Sequence, residues 1–181
     1  MMLQYQTVID FWFNEIEPKS WWVKDAVFDA EIQQRFGALH AAASQGEYHL
    51  WREAALGRLA EIIVLDQFSR NIYRDQPLAF ACDSVALVLA QEAIAQQADQ
   101  SLPPSQRAFL YLPYMHSESP AIHEIAVTLF AQAGMESNLA FELKHKAIID
   151  RFGRYPHRNA ILNRQSTEEE IEFMKQPGSS F

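Results

Sequence analysis

Three features of this 181-residue sequence predict an all-α fold. They are a composition heavy in Ala and Leu, a scarcity of β-branched and turn residues, and regularly spaced Pro and Gly punctuation. There are 24 Ala and 16 Leu against 7 Val and 3 Thr, and only 6 Gly. Ala and Leu lead the helix scale, whereas a sheet draws on β-branched residues and on glycine turns. A chain of this length buries roughly 70% of its unfolded surface, enough to fold as one domain over 1–181 without staples.

The elements follow in order. A short first helix is expected over Tyr5–Asn14, ended by Pro18. The second runs over Lys24–Ala43, with Phe28, Ile32, Phe36 and Leu39 at helical spacing, and stops near Gly46. A third spans Trp51–Tyr73, where Leu56, Leu59, Ile63, Asp66 and Arg70 keep the same rhythm. Pro77 suits the first turn of a fourth helix reaching Gln97, and Pro103-Pro104 open a fifth that ends near His116. A sixth lies between Pro120 and Gly134. Asn138 reads as the cap of a seventh, which Gly153 ends. A turn of helix follows Pro156, and Ser166 with Glu169 fits a capping box for the last helix. Every connection is short, so successive helices should pack antiparallel.

Charge narrows the function classes. Lys and Arg number 15 against 23 Asp and Glu, a net charge of -8. An acidic protein is a poor partner for nucleic acid or an anionic membrane, so neither is expected. The single cysteine, Cys82, cannot form an internal disulfide and reads as a small core residue. No basic segment precedes the apolar stretch Val8–Phe13, and no apolar run reaches the roughly 18 residues of a membrane span. The expected location is the cytoplasm.

Three segments carry polar residues that core packing does not require. In Leu65–Asn71, Asp66 and Arg70 stand four apart on one helix face with Gln67 and Asn71 beside them, directly after the apolar block Ile62–Leu65. That position implies burial, and buried charges need partners. In Tyr111–Glu118, Pro113 kinks or breaks the helix, and His116 and Glu118 follow at its end. They read either as a histidine favoured by the helix dipole or as a His/carboxylate pair that moves a proton. The third segment, Arg151–Asn159, lies in a basic island: from Lys144 to Arg164 there are six Lys or Arg and one acid, Asp150.

Arg151, Arg154, His157, Arg158 and Asn159, with Arg70 and Asn71, are therefore the candidate ligand-binding residues. The anion they hold is either internal, with Asp66 or Glu118 the obvious choices, or a bound phosphate or carboxylate. His145 is a further candidate base, although alone such a residue is more often a hydrogen-bonded helix residue than a ligand. His40, His49 and His123 read as surface or packing residues. His116, His145, His157, Asp66 and Glu118 include no i, i+4 histidine pair, so no metal site is predicted and no cofactor is specified.

The runs Val8–Phe13, LDQFSRNIYRD, AFACD, HSE and RFGRYPHRN, closed by Pro177-Gly178-Ser179-Ser180-Phe181, resemble the mostly bacterial family called domain of unknown function 924. The resemblance implies an all-helical fold similar to tetratricopeptide repeats, here antiparallel helix pairs in a compact right-handed array, and no established activity. One departure is Asn163, where a glycine is expected before Arg164; it puts the tightness of that turn in question.

Three functions remain. The first is a domain that binds a small anionic molecule through 151–159. The second is a hydrolase- or lyase-type enzyme, with His116 or His145 as general base and Asp66 or Glu118 orienting it. The third is a helical scaffold for a protein or peptide.

Overall fold

In the computed structural model, which describes residues 4–180, every regular element is helical. Phe181, the last residue of the closing run above, lies outside the described residues. Helix α1 (Gln4–Asp10) runs into a π-helical turn at Phe11–Glu15 that sends Phe11 and Trp12 inward. Helix α2 (Ala26–Ser44) starts at Asp25, whose carboxylate accepts the backbone N–H groups of Val27 and Phe28. Ile32, Phe36, His40 and Ala43 form its buried stripe, close to the periodic reading.

The central element is α3 (Ala55–Ile63), continued by a π-helical turn at Val64–Phe68 and then by α4 (Ser69–Ile72). Nearly every side chain from Leu59 to Ser69 is buried, because α1, α2, α5 and α6 all pack around this rod. It begins at Ala55 rather than Trp51 because a 3-10 turn at His49–Glu53 and an extended Ala54 come first, and the chain at Gly57 packs against that turn. A Cβ at Gly57 would lie 2.0 Å from the Trp51 carbonyl oxygen, so only glycine fits.

A 3-10 turn at Pro77–Phe80 precedes α5 (Asp83–Ala95). The stretch Pro77–Ala95 is, against expectation, long and apolar enough to cross a membrane by length and composition. It is broken before Asp83, however, and Asp83 pairs with Arg70 and Arg158. One face of α5 packs through Ala86, Leu89, Ala90 and Ala93, while Val85 and Val88 stay exposed.

Helices α6 (Pro104–Met115), α7 (Pro120–Phe130) and α8 (Glu136–Phe152) follow with short links and pack successively against one another. Helix α6 continues through Pro113 to Met115, so the proline does not break it. Helix α8 begins two residues before Asn138, with Met135 at the cap position. Gly153 ends it in the left-handed conformation (φ 66°), as expected. Asn163 also takes a left-handed φ of 54°, a conformation asparagine tolerates, so the turn is kept without glycine. The last helix, α9 (Glu168–Met174), has its capping box one residue later than expected, on Thr167 and Glu170. The reason is visible: Ser166 Oγ is engaged by the Asn159 amide instead.

Candidate functional site

The π-helical turn at Val64–Phe68 carries Asp66 into the interior, where its side chain is 1% exposed. A π turn widens the helix by one residue and re-aims its side chains, a device common at functional sites. Asp66 Oδ1 accepts a 2.7 Å hydrogen bond from Nδ1–H of His116, the residue that caps α6. Its other oxygen accepts the Gln67 amide, and Arg70 lies 3.3 Å from Oδ1. Burial alone would raise the Asp66 carboxyl. The electrostatic pull and hydrogen bond of His116, then the Arg70 charge and the Gln67 hydrogen bond, outweigh that and hold it well below the carboxylate range. His116 is pushed below its ordinary value by burial and by Arg70, so the ring is neutral near pH 7. Nδ1 then carries the proton and Nε2 is the basic nitrogen.

The backbone on either side of His116 is clamped. Tyr155 donates its hydroxyl proton to the Met115 carbonyl at 2.5 Å, and His123 Nε2–H donates to the Ser117 carbonyl at 2.8 Å. His123 is held in turn by Glu142 at 2.6 Å, and all of Tyr155, His123 and Glu142 are fully buried. His123, read from sequence as a surface or packing residue, is thus part of an interior polar chain. Its i, i+19 partner on another helix left no local signal.

Arg70 bridges Asp66 to Asp83, which it grips with two bonds of 3.0 Å. Arg158 reaches the same Asp83 with one longer contact of 3.3 Å. Its guanidinium lies 4.6 Å from both the Phe80 and the Tyr155 ring centroids, and its buried Nε has no hydrogen-bond partner among the described residues. Burial and the neighbouring Arg70 lower its pKa. Asp83 and Phe80 were not singled out from the sequence, although both stand in or beside the AFACD run.

His116 and Arg158 line a cavity of about 320 Å³ together with Phe80, Asp83, Ser84 and Leu162. Glu118 is on the same wall, but its carboxylate is taken by Arg164, through bonds of 2.6 and 2.9 Å, and by the Tyr155 N–H. Despite burial, those contacts lower its pKa. Glu118 therefore does not orient His116; Asp66 does.

The rest of the basic island turns away from the cavity. Arg151 pairs with Glu169, and Arg154 forms a two-pronged pair with Glu170. Asn159 bonds Ser166 and Glu170, and Asn71 bonds Asp29. Acids of the last helix neutralise this part of the segment, which is the internal-anion alternative with different partners from those expected. The Arg154 guanidinium holds Glu170 down at about 2. His145 is buried, with Nδ1 on the Phe141 carbonyl, and burial lowers it to about 3. His157 lies 5.5 Å from the Tyr155 ring, and burial with the Arg158 charge lowers it to about 4. Among the described residues no group of three His, Cys, Asp or Glu is placed to hold a metal ion.

Fold and site together define a class: an all-helical protein with a His/carboxylate pair and a buried arginine on one small cavity. The chain belongs to the family described as bacterial protein of unknown function (DUF924), whose family model matches residues 8–178. It is also similar to a solved structure of a protein of unknown function from Agrobacterium tumefaciens. The two share 38% identity and a TM-score of 0.91, over 95% of this chain and 97% of that one. No curated protein matches.

Proposed function

We propose that this chain is a hydrolase- or lyase-type enzyme that binds a small anionic substrate and moves a proton through the Asp66–His116 pair. The observation that carries the reading is the 2.7 Å bond from a cavity-lining imidazole to a carboxylate with 1% side-chain exposure. In that arrangement His116 Nε2 accepts a proton from the substrate or from a water, and Asp66 stabilises the imidazolium that results. Arg158, buried and incompletely paired, supplies the charge for an anionic group of the substrate.

The test is a screen of carboxylate-bearing esters and 2-hydroxy acids against the full chain. Any activity found should fall about 10²–10⁴-fold in His116→Gln and comparably in Asp66→Asn. A turnover rate unchanged by both substitutions would remove the pair from catalysis and end this reading.

A scaffold for a protein or peptide is the second reading, favoured by the exposed stripe of Leu78, Val85 and Val88. A Val88→Lys variant that retains every bound protein of the parent would remove this stripe from such an interface. We also take the chain to be cytoplasmic and one tetratricopeptide-like domain. The acidic charge and the successive packing of α6, α7 and α8 support this.

A further inference from the structure

We infer that the cavity takes a monoanionic carboxylate with a compact apolar body, rather than a phosphate; this rests on the anionic-substrate reading above. Two observations point there, one electrostatic and one steric.

The first is the balance of fixed charge. Three arginines, Arg70, Arg158 and Arg164, are matched by three carboxylates, Asp66, Asp83 and Glu118. The histidine on the wall is neutral, so the surroundings of the cavity carry no surplus positive charge. A phosphate carries a charge of about -1.5 to -2 near pH 7, and here it would stand uncompensated beside Asp83 and Glu118. Phosphate sites instead gather several arginines, or backbone N–H groups at a helix start. A single negative charge, in contrast, has one seat. Arg158 is 6% exposed, among the described residues its Nε lacks a partner, and its ion pair, at 3.3 Å, is to an aspartate already held twice by Arg70. One carboxylate completes that guanidinium.

The second observation is what surrounds the charge. Pro77, Phe80, Ala81, Leu87, Pro113 and Leu162 supply most of the remaining wall, with the hydroxyl-bearing Ser84 and Ser117 among them. An acetate-sized ion would leave this apolar surface wet. A ring or branched chain on the carboxylate would cover it and gain the ordinary free energy of apolar burial. At about 320 Å³ the cavity is near the lower end of the range for ligand pockets, which limits the body to a compact one.

The experiment titrates the full chain with phenylacetate, acetate and inorganic phosphate by calorimetry, with the His116 ring resonances followed by NMR to place the binding. Phenylacetate should bind about ten- to a hundredfold more tightly than acetate, the worth of burying one ring, and more tightly than phosphate. Arg158→Gln should abolish its binding. Leu162→Ser should weaken phenylacetate and leave acetate unchanged. This second variant, at a half-buried position, decides the matter if Arg158→Gln does not fold.

Phosphate binding as tightly as phenylacetate would overturn the inference, as would acetate doing so, while the anionic-substrate reading would stand. If no anion shifts the His116 resonances at millimolar concentration, both fall. Both also fall if phenylacetate binds a folded Arg158→Gln protein unchanged.

Discussion

The two sides of the central α3–α4 rod are built from opposite materials. On one side Phe68 meets Phe36 at 4.9 Å and Trp12 at 5.5 Å, and Trp12 goes on to Phe109 at 5.7 Å. On the other side, two residues earlier in the same π-helical turn, Asp66 enters a chain of ion pairs through Arg70, Asp83 and Arg158. The first side is held by area removed from water and by ring geometry, which are tolerant and insensitive to pH. The second is held by charges whose burial is costly unless every partner is present. The cavity lined by His116, Asp83 and Arg158 lies on the second side, so the proposed site stands apart from the aromatic packing.

The largest expected effect tests the aromatic side. Trp12→Ala removes a fully buried indole and should cost about 3–5 kcal/mol in denaturant unfolding. It should leave the pH dependence of the remaining stability unchanged. A Trp12→Ala protein with an altered pH profile would show that the two sides are coupled, and the separation drawn above would fail.

Asp66→Asn makes the corresponding break on the polar side. It keeps the shape and removes the charge. Breaking a buried pair typically costs about 3–5 kcal/mol; Arg70 retains Asp83, so about 2–3 kcal/mol is expected here. The same variant should lose the preference of His116 for the Nδ1–H form, which ¹⁵N NMR reads directly. A change in stability with no change in tautomer would make Asp66 a structural partner of Arg70 alone.

Acid sharpens the contrast further. His116, His145 and His157 all have native values below their ordinary one, chiefly through burial. Below about pH 6.5 the unfolded chain therefore binds protons that the native state refuses. The stability these neutral rings contribute is complete above that pH and is lost as pH falls toward the native values, about 3 for His145 and about 4 for His157. Between pH 7 and 5.5 the loss from His145 and His157 alone should be roughly 2–3 kcal/mol. Glu118 and Glu170, held below the usual carboxylate range, add a second loss at lower pH. His145→Gln should make the first decline shallower. An unfolding free energy that is flat from pH 7 to 5.5 would contradict the burial of these rings.

These two sides were also unequally legible in the sequence. Apolar periodicity exposed the helices and most of the aromatic core, since Ile32, Phe36, Leu59 and Ile63 repeat at helical intervals and all are buried. The polar side was legible only as residue types. Asp66, Arg70, His116 and Arg158 stood out because they interrupt apolar or proline-marked segments, and the structure brings them to one place. Their partners did not stand out: Asp83 falls inside the helix expected from Pro77 to Gln97, and Glu142 inside the one that Gly153 ends. A hydrogen bond between residues 66 and 116, or an ion pair between 83 and 158, leaves no spacing rule in the chain. The π turn at Val64–Phe68 was equally silent, because Asp66 and Arg70 keep the same four-residue separation in a regular helix.

The smallest effect concerns the basic island, which the sequence presented as one unit and the structure divides. Arg151 and Arg158 are seven residues apart with the same side chain. Arg158 is 8% exposed at the side chain and sits on the cavity, whereas Arg151 is 49% exposed and pairs with a Glu169 that is 64% exposed. An exposed ion pair is worth about 0–1 kcal/mol, and the Phe152 ring beneath Arg151, 4.7 Å away, adds a contribution of the same small order. Arg151→Ala should therefore lower stability by about 1 kcal/mol or less, and raising the salt concentration in the parent should reproduce part of that loss. Phenylacetate binding should be unaffected. If Arg151→Ala instead reduced binding as severely as Arg158→Gln, the island would act as one electrostatic unit, and the division between its cavity-facing and acid-paired arginines would have no functional meaning.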